Sequence, residues 1–162
     1  MATAISELIA IEMQTRLQQI KKTNGYETDV SEVVRPTRDD KSQPKDNQIF
    51  LTTSTNSRAE EFDCQGNPPA FGYRQEYEIN AVIRASQNDS SSSSKLQATL
   101  SSDIIKSIVQ GVAWWQMDGN SIQTEFSNIT KYNAPDGSAA GVRVSVTVIY
   151  RSDSTNPYNV RG

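Results

Sequence analysis

Acidic side chains are the first residues with types and spacing that could do chemistry. Asp39-Asp40, Glu60-Glu61 and Asp63 offer the oxygens that a hard cation gathers in numbers. Their spacing follows no EF-hand loop, and paired acids in polar segments read as solvated surface. The chain has no histidine, which removes imidazole catalysis and imidazole metal ligation. Its single cysteine, Cys64, can form neither an internal disulfide nor a cysteine-rich zinc site. Serines are plentiful, but none sits in G-x-S-x-G and no histidine can act as base; a Ser–Lys arrangement, or chemistry on carboxylates, stays open. Gly66-Asn67-Pro68-Pro69 and Gly137-Ser138 match neither a phosphate-binding loop nor a dinucleotide fingerprint. Two aromatic groups remain. Trp114-Trp115 reads as one indole closing the core beside a partly exposed one, or else as a binding platform. Phe62, Phe71 and Tyr73 flank a long polar stretch that is either a working loop or a hairpin tip. Asp103, just before Ile104-Ile105, reads as a helix-surface charge, with an interface role left open.

Composition frames these candidates. The chain has 162 residues, of which 35% are apolar, against about 45–50% in an ordinary globular domain. Mean hydropathy is −0.60. That describes one domain with a thin core, and a surface that a partner could help to bury. The formal charge is −3, from 16 basic and 19 acidic residues, which speaks against a duplex-DNA binder held by phosphate neutralisation. No apolar run is long enough for a membrane span. The start, with Glu7 and Glu12 interrupting its apolar residues, does not read as a secretory signal. A lone thiol fits assembly in a reducing cytoplasm. These features predict a protein without catalytic residues, cofactor or metal.

The elements that must position the candidates follow from periodicity. Ile5, Ile9, Met13, Leu17 and Ile20 recur at helical steps and predict an amphipathic helix over about 4–22, with Thr3 as N-cap and Asn24-Gly25 as its stop. Tyr26 to Val34 reads as extended, 36–47 as an exposed charged loop, and 48–53 as a strand. Ser54 to Phe71 reads as irregular and polar. Tyr73, Gln75, Tyr77, Ile79, Ala81 and Ile83 alternate with polar residues, predicting a half-buried antiparallel strand. The serine run Ser90–Ser94 reads as a flexible connector. Leu96, Leu100, Ile104 and Ile108 predict a second helix over about 95–112, with Ser94 and Gln97 at capping-box spacing. A short strand at 122–126 and a turn at Ala134-Pro135-Asp136-Gly137 lead to a long final strand, Val142 to Tyr150. The expected fold is a single α+β domain over 1–162. It has a mostly antiparallel sheet, two helices packed on one face, long polar loops (about 36–47, 54–72 and 86–94) and a tail at 152–162.

Three segments carry a family resemblance. Asn24-Gly25-Tyr26-Glu27-Thr28-Asp29-Val30 follows the first helix, Asp103-Ile104 lies in the second, and Val142–Arg151 ends in a Tyr-Arg pair followed by Asn156-Pro157-Tyr158. In this order the chain resembles the tail-terminator (tail-completion) proteins of long-tailed bacteriophages, of the lambda type. The resemblance implies a homo-hexameric ring on the head-proximal end of the tail tube, stopping tube polymerisation and joining the head. Its implied partners are further copies of the chain, the tail tube protein and a head–tail connector or stopper protein, with DNA only as passing cargo and no membrane. The implied location is the virion, after assembly in the host cytoplasm. Loops then make the contacts, with Arg38, Asp39, Arg58, Glu60, Glu61, Phe62, Phe71, Pro157 and Tyr158 as interface candidates. Left beside this reading are another neck protein, a small α+β ligand-binding module, and a histidine-free enzyme.

Overall fold

A computed structural model of the chain describes residues 3–37, 42, 44–84, 92–133, 139–156 and 158. Helix α1 spans Ile5–Gln18 and α2 spans Ser93–Ile108; the strands are β1 Glu32–Val34, β2 Gln48–Arg58, β3 Ala70–Arg84, β4 Gln123–Asn133 and β5 Ala139–Asp153. They form one five-stranded sheet in the order β1-β2-β3-β5-β4. Every pairing is antiparallel except β1 with β2. Both helices pack on one face of the sheet, so the chain is an α+β domain of the expected kind.

The core lies where the sequence periods meet. The α1 stripe Ile5, Ile9, Met13 and Leu17, with Ile20 just beyond, is 0–1% exposed. It packs with Leu100, Ile104 and Ile108 of α2 and with Tyr77, Ile79, Val142, Val144, Val146 and Val148 from the sheet. Tyr77 is fully buried, and its hydroxyl donates to the Ser6 carbonyl at 2.8 Å. Burial pushes that hydroxyl's pKa well above its ordinary value, so it stays a neutral donor tying α1 to β3.

Several expectations need correction. The α1 helix stops at Gln18, and a 3-10 turn, Lys22–Asn24, follows before Gly25 closes it at φ 81°; glycine takes that left-handed conformation without steric cost. The α1 N-cap is Ala4, not Thr3, with no side-chain cap. In α2 the cap is Ser92, whose hydroxyl accepts from the Lys95 amide at 3.3 Å. Ser94 lies inside the helix, and Gln97 donates instead to the Tyr132 carbonyl at 2.8 Å. The helix ends at Ile108, before the expected 112.

The largest difference concerns 54–71. It is not an irregular loop: β2 runs on to Arg58 and β3 begins at Ala70, so the two form a long hairpin with a folded turn between. The final strand likewise reaches Asp153, with Ser152 and Asp153 buried. The short strand expected at 122–126 extends to Asn133. Between Tyr26 and Val34 only Glu32–Val34 is strand. The end of the expected 36–47 loop is pinned, because the Asn47 amide donates to the Val82 carbonyl at 2.9 Å and Asp46 accepts from the Arg84 amide at 2.6 Å. The serine-run connector through Ser91 and the turn at 134–137 lie outside the described residues.

Candidate functional site

The turn between β2 and β3 collects most of the sequence-selected residues. Arg58, the last residue of β2, lays its guanidinium 4.3 Å from the centre of the Phe71 ring and 5.3 Å from that of Tyr73. The pairing of Arg58 with Tyr73 puts all three side chains on one face, since residues opposite in a ladder share a side. Arg58 also donates to Asp63 at 2.7 Å. The other Asp63 oxygen accepts from the Gly72 amide at 2.7 Å. This carboxylate therefore joins the end of β2 to the start of β3 across the turn.

Backbone contacts close the turn. Ala59 donates to Gly72 at 3.0 Å, and Cys64 and Ala70 exchange both of their backbone bonds at 2.9 Å. Arg151, from β5, donates through Nε to the Phe62 carbonyl at 2.5 Å. A Cβ on Gly72 would meet the Ala59 carbonyl at 2.4 Å and the Phe62 Cβ at 2.8 Å, so the turn folds down onto the one glycine of β3. Glu61 pairs with Arg74 at 2.8 Å; its own backbone amide and then Arg74 hold its carboxyl below the usual carboxylate range. Glu60 is exposed at the tip. The arrangement presents carboxylates and a stacked guanidinium on a rigid support, which suits recognition of a surface. Among the described residues no group of three His, Cys, Asp or Glu side chains could hold a metal ion.

The turn thus brings together Arg58, Glu61, Phe62 and Phe71, with Glu60 beside them. Arg38, Asp39 and Pro157 lie outside the described residues. Tyr158 is 48% exposed, and its amide donates to the Asn156 side chain at 3.2 Å. Sequence reasoning missed Gly72, Arg74 and Arg151 as parts of the site, and read Asp63 only as a possible cation ligand.

A second constellation corrects the reading of Asp103. This residue is no surface charge: it is 4% exposed. One of its oxygens accepts from the Thr28 hydroxyl at 2.7 Å, the Thr28 amide at 2.8 Å and the Glu27 amide at 3.1 Å. Beside it, Lys106 donates to the Gly25 carbonyl at 2.5 Å with its ammonium 4.7 Å from the Tyr26 ring centre, and Gln110 donates to the Tyr26 hydroxyl. The tryptophans are half-buried and exposed respectively: Trp114 stacks on Phe126 at 6.3 Å, Trp115 is 38% exposed, and Met117 is the fully buried residue of this segment. Arg16 fastens α1 here, donating to the Ile108 and Trp114 carbonyls at 2.7 and 2.9 Å.

The fold defines the class: an α+β domain whose helices cover one face of a five-stranded sheet, with two ion pairs, Arg58–Asp63 and Arg74–Glu61, at the turn between β2 and β3. No protein-family model matches the chain, and no curated protein matches its sequence. Among the described residues no helix is long and apolar enough to cross a membrane.

Proposed function

We propose that this chain is a structural virion subunit, similar to the lambda-type tail terminators, that caps the head-proximal end of a phage tail tube as a homo-hexameric ring. The ring stops tube polymerisation and presents the surface on which the head–tail connector docks, with DNA passing through its lumen. In this reading the chain does no catalysis and carries no cofactor.

The Thr28–Asp103 junction is the observation that carries the reading. Two segments of the resemblance, Asn24–Val30 and Asp103-Ile104, lie far apart in sequence, yet three hydrogen bonds make them one unit. The Tyr-Arg pair supports it too. Tyr150 stacks on Tyr73 at 5.5 Å and its hydroxyl accepts from Asn56 at 3.0 Å, while Arg151 holds Phe62. Of the resembling segments the Tyr-Arg pair thus helps to frame the turn, at whose exposed tip lie Glu60 and the Arg74-paired Glu61.

The test is deletion of the chain from its phage, with tail lengths measured by electron microscopy. Overlong, headless tails are expected. Normal tails joined to heads overturn the proposal. Complementation with the double variant Glu60→Lys, Glu61→Lys, which changes exposed residues only, is expected to give a folded protein that fails to restore tail length.

A further inference from the structure

Charge is segregated between two places on this chain. Residues 59–63 of the turn carry Glu60, Glu61 and Asp63 and no basic side chain. Asp63 is held by Arg58 and the Gly72 amide, and Glu61 by Arg74. Glu60 is exposed and, among the described residues, has no cation partner. Segments 19–26 and 106–111 are the reverse: they contain Lys21, Lys22 and Lys106 and no carboxylate. Together they wall a cleft of about 500 Å³ lined by Gln19, Asn24, Tyr26, Lys106, Val109 and Gln110. Asn24 donates to the Gln19 carbonyl at 2.9 Å and Gln110 to the Tyr26 hydroxyl, which fixes the amide walls. Lys106 makes no ion pair among the described residues. Its ammonium gives one hydrogen to the Gly25 carbonyl at 2.5 Å, and an ammonium has three. Of the acids next to the cleft segments in sequence or contact, Asp103 is buried against Thr28 and Asp29 accepts from the Lys22 amide at 2.8 Å, while Glu27 is exposed.

The positions of the two places identify the occupant. The Val30 amide donates to the Ile20 carbonyl at 2.9 Å and the Ser31 amide to the Asn47 carbonyl at 2.7 Å, so the cleft segment is tied to the start of β2. The turn follows the other end of β2, at Arg58. Eleven residues of strand span roughly 30 Å. Asp63 on the Gly72 amide and Arg151 on the Phe62 carbonyl pin the turn, so it does not swing across that distance to the cleft of its own chain. A second copy brings the same turn to it with the complementary charge. The contact joins two different patches, which makes it heterologous and able to close into a ring. Apolar cover is present on both sides: Val109 at the cleft is 38% exposed, and Phe62 beside Glu60 is half-buried.

We infer that the β2–β3 turn of one copy of this chain docks on the cleft between residues 19–26 and 106–111 of the next, with the Glu60 carboxylate accepting from the Lys106 ammonium. The inference deepens the ring reading and rests on it for the number of copies. Its own support is the segregated charge and the separation of the two patches.

Charge reversal on either side of the contact tests it. Glu60→Lys and Lys106→Glu each set like charges against one another, and each is expected to weaken self-association at least about tenfold in analytical ultracentrifugation. Circular dichroism is expected to stay that of the wild type. Mixed in equal amounts, the two variants are expected to assemble as the wild type does, because every contact between unlike copies again joins opposite charges; a ring of six allows that alternation. Lys106→Gln, which keeps a donor for the Gly25 carbonyl, covers a fold defect in the reversal and is expected to weaken association about threefold. A mixture that behaves as the sum of its parts overturns the inference, as does any of the three variants assembling like the wild type. A wild type that stays monomeric at its highest soluble concentration overturns it too. The tail-length assay separates the two proposals: rescue in the mixture with normal tails after deletion removes the terminator reading alone, and defective tails without rescue remove the turn-to-cleft contact alone.

Discussion

At Asp103 a single carboxylate does the work of a splice between distant segments. It is buried and accepts three bonds from Glu27 and Thr28, so its removal leaves two backbone amides and a hydroxyl without their partner. An unmet buried donor costs far more than a typical hydrogen bond contributes. Asp103→Ala is therefore expected to lower unfolding stability by about 2–4 kcal/mol, and Thr28→Val, which removes only the hydroxyl bond, by about 1 kcal/mol. Urea denaturation followed by tryptophan fluorescence measures both, and a loss under about 0.5 kcal/mol for Asp103→Ala would contradict the splice. None of this was legible in the helical pattern. An aspartate between apolar positions looks like a polar flank, and the donors that bury it are 75 and 76 residues away in the chain. The resemblance named both segments, but only the fold puts them in contact.

At the scale of elements, legibility followed apolar periodicity. The α1 stripe and the alternation in β3 and β5 were plain because each buries a continuous apolar face. β2 beyond Thr53 was not, since Ser54 to Arg58 is exposed and its strand conformation comes from pairing with β3 rather than from its own residues. β4 was cut short for a related reason: its pairing register shifts between Phe126 and Asn128, and a one-residue shift reverses which side chains face the core. The hairpin turn depends on a close approach that sequence does not display. Gly72 lies under the Ala59 carbonyl and Phe62, and backbone atoms yield less readily than a flexible side chain. Gly72→Ala is expected to cost about 1–3 kcal/mol. Its effect should be local: hydrogen exchange speeds up at Ala59, Phe62 and Asp63 before the α1 and α2 amides respond. Unchanged exchange at those three positions would mean that the turn is not seated on Gly72.

For the whole molecule, the thin core and the apolar side chain left exposed on β4, Ile129, are one property seen twice. A chain with 35% apolar residues still fully buries the α1 stripe and the β5 valines, yet it leaves Ile129 of β4 42% exposed at the margin of the sheet. Composition pointed toward burial by a partner; it could not say where, because edge position depends on strand order, and strand order depends on pairings between segments remote in sequence. If copies supply that burial, stability must depend on concentration, since whatever binds only the folded state shifts unfolding by mass action. Each tenfold rise in protein concentration adds about 1 kcal/mol per subunit to an assembled ring, or about 2–5 °C in Tm for a domain of this size. Differential scanning calorimetry across two decades of concentration is expected to show that slope for the wild type and a flat line for Ile129→Lys. Equal slopes for the two proteins would place the stabilising contact somewhere other than the β4 edge, and two flat lines would mean that the domain's own core suffices.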